Sequence, residues 1–206
     1  MTRVGWITLI FLAIGVAGYA FAVGLLPELG PQPIVSKFSA FPLPLWAHTI
    51  GGGVALVLGV FQVHPRFRSH FTKSHRRVGK VYFLAVFLSG SAGLYMATLA
   101  EGGIITELGF GMLAVLWLAT AIMAIIRIRQ RNISAHRAWM IRNYALTLSA
   151  VTLRFYLPAS LASNLDFLTV YMFIAWMCWV PNLIIAEWFF VRKDPIRAAA
   201  SVLPSG

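Results

Sequence analysis

Negative charge is scarce in this chain: 206 residues carry six Asp and Glu against seventeen Lys and Arg, a formal net charge of +11. Charged residues of both signs make up only 11%, while 59% are hydrophobic. A soluble domain carries about 25% charge and roughly 45–50% apolar residues. A larger core cannot absorb the difference, because a soluble chain of this length still needs a polar surface. The solvent that tolerates such a composition is lipid, and the mean hydropathy of +0.79 agrees. Cysteine is nearly absent too. The one example, Cys178, sits inside an apolar run, which excludes a disulfide framework and a thiolate metal cluster within one chain. No Ser-His-Asp arrangement, phosphate loop or His-Glu-x-x-His motif is present.

What is abundant is apolar sequence in long stretches. A membrane helix needs about 20 mostly apolar residues. Six stretches qualify, at about 4–26, 43–63, 81–100, 108–128, 139–158 and 167–191. They predict an all-α, polytopic transmembrane helix bundle forming one integral membrane domain over 1–206. The second stretch holds Gly51-Gly52-Gly53, and the fifth holds Asn143 and Arg154. Placing the N-terminus inside puts fifteen of the seventeen basic residues on the inner side, and Glu28, Glu101, Glu107 and Asp166 outside. Basic loops stay cytoplasmic during insertion, so both termini are expected in the cytoplasm and the plasma membrane is the expected location. Five or seven crossings would scatter that asymmetry. The charge therefore reads as topology rather than as a nucleic-acid surface. Lipids are the expected partners, and a protein partner is left open. Ala20-Phe21-Ala22 resembles a signal-peptide cleavage site, but the apolar run before it is long, which favours a retained anchor. Pro27–Pro44 reads as an outer loop, in part re-entrant, and the tail from Asp194 as short and Ala/Ser/Pro-rich.

Two crossings open alike. Ser74-His75-Arg76 precedes Tyr82, and Ser134-Ala135-His136-Arg137 precedes Tyr144. Each offers a Ser N-cap and a His-Arg pair at the same expected depth. Duplication of a helix pair explains the likeness; so does the common need of a helix entering from the cytoplasm for Ser and basic residues.

At 100° per residue, three crossings show a polar or small-residue face. On the second it is His48, Gly52, Ala55, Gly59 and Gln62; on the third His75, Gly79, Tyr82, Ser89, Gly93 and Ala97; on the fifth His136, Met140, Asn143, Thr147, Ala150 and Arg154. Polar groups unpaired in hydrocarbon cost several kcal/mol each, so these faces are expected to meet inside, covered by the first, fourth and sixth. Gly51-x-x-x-Ala55-x-x-x-Gly59 is a close-packing pattern, and tight packing explains it better than space for a flat ligand.

Candidate chemistry falls at two levels. His75 and His136, on parallel helices at equal depth, form a bis-histidine pair for b-type haem or, less well, a metal ion, with Arg76, Arg137 and Arg142 available to propionates. Against this, both open their helices rather than lying deep in the bundle, and a His-Arg pair also suits a phospholipid headgroup or a helix end. At the other level stand His48 and Arg154. Arg154 lies 18 residues beyond His136, about 27 Å along a helix. It either snorkels to the interface or marks an interior site, with Glu101, Glu107, Asp166 or a bound anion as partner. His64 and His70, beside Pro65, Arg66, Arg68 and Lys73, read as ordinary loop residues.

Taken in order, His48 with its glycines, Gly59-x-x-Gln62, His75-Arg76-x-x-Gly79-x-x-Tyr82, His136-Arg137-x-Trp139-Met140-x-Arg142 and Ala150–Arg154 resemble the bacterial membrane-protein family known as domain of unknown function 2306. The likeness runs from about His48 to Pro158 and implies a multi-span membrane protein with no assigned reaction. Its motif falls here on His48, His75, Arg76, His136, Arg137, Trp139, Arg142 and Arg154, while the third glycine at 51–53 and the histidines at 64 and 70 lie outside it. Three roles stay open: a redox-cofactor protein, a small-molecule, lipid or proton handler, and an accessory subunit.

Overall fold

The computed structural model describes residues 2–30, 35–38, 42–161 and 165–192, with residue 161 given by its backbone alone. The tail expected from 194 onward lies outside the described residues, as do 31–34 and 39–41 of the outer loop. The described chain is helical without strands. Its principal helices are α1 (Arg3–Leu25), α2 (Leu43–Val63), α3 (Pro65–His70), α4 (Thr72–Ala97), α5 (Ile104–Arg129), α6 (Ile133–Thr147), α7 (Ser149–Leu161), α8 (Phe167–Met177) and α9 (Val180–Ala186).

Five stretches are long and apolar enough to cross a membrane: α1, α2, α4, α5 and Phe167–Val191. The crossing expected at 139–158 is not one unbroken helix. It is α6 and α7 joined at Leu148, where the Val151 N–H closes onto the Leu148 carbonyl three residues back. α6 still runs antiparallel to α5, since His136 meets Ala124 and Asn143 meets Trp117. The last crossing is also segmented. Pro181 supplies no N–H at the start of α9, and Glu187–Val191 widens into a π turn.

Charge explains where the other boundaries fall. α4 begins nine residues before the apolar run at Val81, and a 26-residue helix is roughly 39 Å long, more than the ~30 Å hydrocarbon core. The excess of about 9 Å is six residues, enough for the basic first turns from Lys73 to Arg77 to reach past an apolar slab. The expected serine caps are corrected. Ser74 and Ser134 lie inside their helices. α6 is capped by Asn132, whose side chain accepts the Ala135 N–H at 2.9 Å, while α4 follows a turn at Phe71 with no side-chain cap. His75 and His136 still occupy equivalent places. Each amide bonds back to the residue before its helix, Phe71 at 2.8 Å and Asn132 at 2.9 Å.

α2 packs chiefly on α4 and α1, α5 on α4 and α6, and α8 on α5 and α7. Lipid-facing side chains such as Phe11, Leu84 and Phe173 are exposed, at 75%, 60% and 68%. Tyr82, Ser89 and Asn143 are fully buried and Thr147 nearly so. The three faces expected to turn inward do meet. Gly51 lets the α4 backbone approach: a Cβ there would lie 3.0 Å from the Ser89 Cβ and 3.1 Å from the Ala85 carbonyl. At Gly59 a Cβ would run into the Tyr144 ring, and at Gly53 into Phe21 of α1. The glycines serve packing, as their spacing implied.

Candidate functional site

Mid-bundle, the polar side chains close on one another. Tyr82 donates to Asn143 Oδ1 at 2.6 Å, and Asn143 Nδ2 donates to the Trp117 carbonyl at 2.7 Å and to Thr120 Oγ1 at 2.8 Å. Thr147 Oγ1 receives Trp117 Nε1 at 2.9 Å and donates to the Asn143 carbonyl at 3.0 Å. The Asn143 amide has both ends engaged, so this network clasps α4, α5 and α6 and offers little to a ligand.

Toward the acidic end, His48 Nδ1 lies 3.1 Å from the Ser89 carbonyl, while Ser89 Oγ donates to the His48 carbonyl at 2.8 Å. An acceptor carbonyl requires a proton on Nδ1, which leaves the Nε2 lone pair open. Gly93 makes room for this ring; a Cβ there would stand 2.9 Å from Nδ1. Arg154 lies within electrostatic range of His48. Its Nη1 donates to the Ala150 carbonyl at 2.8 Å, and its guanidinium covers the Tyr19 ring at 5.4 Å. Ala150 is four residues back along the helix, so the charge is drawn toward the membrane centre, the opposite of snorkelling. Nε is buried with no hydrogen-bond partner. Among the described residues no ion pair forms to Arg154. Glu101 pairs with Lys37 at 2.7 Å. Asp166 caps α8: the Thr169 N–H and hydroxyl each reach it at 2.8 Å and hold its carboxyl below the usual carboxylate range.

At the basic end, Gln62 Nε2 donates to the His75 carbonyl at 3.3 Å, and a Cβ on Gly79 would lie 3.2 Å from Gln62 Oε1. His136 Nδ1 meets the Ala124 carbonyl at 2.8 Å. His75 Nδ1 is buried without a partner. Arg76 is exposed and Arg137 half-buried. Arg142 is already gripped by Glu187 along its Nε–Nη2 edge, at 2.8 and 3.0 Å. Among the described residues no group of three or more His, Cys, Asp or Glu could hold a metal ion. His64 caps α3 and rests edge-on against Trp6, and His70 bonds locally to Ser69 and Arg66.

Sequence spacing thus brings together the three polar faces, while His48 and Arg154 meet separate partners, Ser89 for the one and Ala150 and Tyr19 for the other. It misses Trp117 and Thr120 as partners of Asn143, because span four shows no polar face. It also misses Glu187, although an acid inside the last apolar run is itself a signal of a buried basic partner. Residues 45–190, well over half of the chain, match the model of the family described as "Predicted membrane protein (DUF2306)". No curated protein and no solved structure matches.

Proposed function

From the premise that the chain belongs to the DUF2306 family of predicted membrane proteins, we propose that it binds a small anion inside the bilayer through Arg154, with His48 beside it. One observation carries the reading: a guanidinium drawn inward, with no described carboxylate on it and a buried Nε that finds no acceptor. Desolvating an unpaired charge costs several kcal/mol, and an arginine within a membrane bundle by default marks a functional site. The edge that Arg142 uses to grip Glu187 finds no described protein acceptor at Nε on Arg154. That edge suits a carboxylate or phosphate bidentately. The His48 Nε2 lone pair can accept a proton from an acidic ligand. The charge distribution supports the same orientation for this function as for insertion: basic loops and both termini in the cytoplasm, the plasma membrane as the site, and Arg154 in the outer half.

The test is thermal unfolding of the nanodisc-embedded chain titrated with acetate, succinate and inorganic phosphate. At least one anion is expected to raise the midpoint of the native chain, less so of Arg154→Lys, and not of Arg154→Gln. Equal responses from the native chain and Arg154→Gln sink the reading.

A second reading rests on the His136–Ala124 contact. A histidine whose Nδ1–H is held by a carbonyl presents Nε2 as a ligand would need it. In this reading His75 and His136 hold a b-type haem, with Arg76 and Arg137 toward the propionates. A Soret band in protein expressed with ample haem, lost in His136→Ala, supports it; a flat spectrum removes it.

A further inference from the structure

A second charged constellation lies about 9 Å deeper along α6 than His136, and the anion site does not use it. A groove of about 340 Å³ opens between α5, α6 and α9. Trp139, Leu183, Ile184 and Trp188 are among its walls, and the Arg142–Glu187 pair lies in its lining. The pair is an ion pair inside a membrane protein, with side chains only 16% and 28% exposed. Arg142 also covers the Trp139 ring at 4.7 Å. The π turn that begins at Glu187 brings a second cation round. The Arg192 N–H closes onto the Glu187 carbonyl at 3.0 Å, its Nε comes within 3.9 Å of the carboxylate, and its guanidinium covers Trp188 at 5.1 Å.

Two features define the occupant. The lip of the groove is apolar and open: Ile184 and Trp188 are exposed, at 53% and 59%, toward the surface where acyl chains run. The charges do not cancel. Two arginines share one carboxylate, leaving a surplus of one positive charge, and the glutamate engages Arg142 only through Nε and Nη2, so the Nη1 donors stay outside that grip. We propose that the groove binds one anionic phospholipid. Its phosphodiester would meet Arg142 Nη1 and Arg192, and one acyl chain would lie along Leu183 and Ile184 between the two tryptophans. A single phosphodiester carries the one negative charge the constellation lacks. A zwitterionic headgroup adds an ammonium whose only described acid here, Glu187, is already shared by two arginines. Arg192, exposed at the end of the last apolar run with its guanidinium over Trp188, sets the headgroup boundary at the open end of the groove.

The experiment is native mass spectrometry of the full chain from micelles holding equimolar phosphatidylglycerol and phosphatidylethanolamine, with sn-glycerol 3-phosphate as competitor. One phosphatidylglycerol per chain is expected to be retained in preference to phosphatidylethanolamine. Arg192→Gln, at an exposed side chain, is expected to cut that preference about fivefold. Ile184→Trp fills the groove and is expected to release both lipids; if it does not fold, Arg192→Gln decides. Equal retention of the two lipids, an unchanged ratio in Arg192→Gln, or displacement by glycerol phosphate, which would show a phosphate site indifferent to the lipid, each overturns the proposal.

Discussion

Tyr82 gives its phenolic proton to Asn143 Oδ1 at 2.6 Å, with both side chains fully buried between α4 and α6. Removing the donor leaves a buried carbonyl oxygen without its shortest bond. Tyr82→Phe is expected to cost ~1–2 kcal/mol, and Asn143→Leu ~2–4 kcal/mol, because the Thr120 and Tyr82 hydroxyls then lose a partner together. Denaturation in mixed micelles would measure both. The double variant is expected to fall short of the sum by ~0.6–1.7 kcal/mol, the range for coupled pairs in a bilayer bundle. Strict additivity would mean the two do not interact.

At Gly59 the Tyr144 ring occupies the space a methyl would need, and Tyr144 is itself tied to the Leu56 carbonyl at 3.2 Å. The ring cannot easily retreat. Gly59→Ala is expected to destabilise by ~1–3 kcal/mol. Gly15, with nothing near its missing Cβ, is the matched control, and Gly15→Ala is expected to stay within about 0.5 kcal/mol. The comparison is one of melting midpoints in the same detergent.

Much of this arrangement is legible in the amino-acid sequence. Composition and apolar run length define the membrane bundle, and helical periodicity correctly turned His48, Gly59, Tyr82, Ser89 and Asn143 toward one another. Depth along a helix was legible as well, because 1.5 Å per residue puts His136 and Arg154 at opposite ends. What periodicity cannot supply is which buried group answers which. Trp117 contributes to the clasp through one indole N–H and a backbone carbonyl, and a backbone group has no signature in a side-chain pattern. Nor does run length reveal the break at Leu148, since its cause is local hydrogen bonding rather than composition.

The turn between α5 and α6 carries a correctable strain. Arg131 has φ +59°, while the Asn132 N–H bonds to the Arg127 carbonyl at 2.9 Å and the Arg131 N–H to Ile128 at 3.0 Å. This six-to-one and five-to-two pairing favours glycine at the left-handed residue. An L side chain there costs roughly 1–2 kcal/mol, of which glycine's extra freedom in the unfolded chain offsets part. Arg131→Gly is expected to stabilise by ~0.5–1 kcal/mol, seen as a higher melting midpoint; a lower midpoint would show that the arginine is held by something else.

Asp166 makes the acid limb of the stability profile readable. Hydrogen bonds from Thr169 depress its folded pKa below the unfolded value. The cap therefore stabilises fully above the ordinary carboxylate range, and its contribution disappears as pH falls through the depressed value. Asn caps a helix about as well without titrating. The difference between the native chain and Asp166→Asn is expected to change between about pH 5 and pH 2 and to be flat above. A constant difference would remove the cap from the acid response.

The interruption at Leu148 divides the labour between α6 and α7. Below it, Asn143 and Thr147 bolt α6 to two neighbours; above it, α7 carries Arg154 past Tyr19 of α1 and is tied to α9 where Asn182 Nδ2 donates to Thr152 Oγ1 at 2.9 Å. A tilt of the upper segment would carry the guanidinium with it and leave the lower bolt in place. The joint puts the polar clasp and the buried cation on two separate rigid segments, so that a change at one end need not be transmitted through a continuous helix to the other.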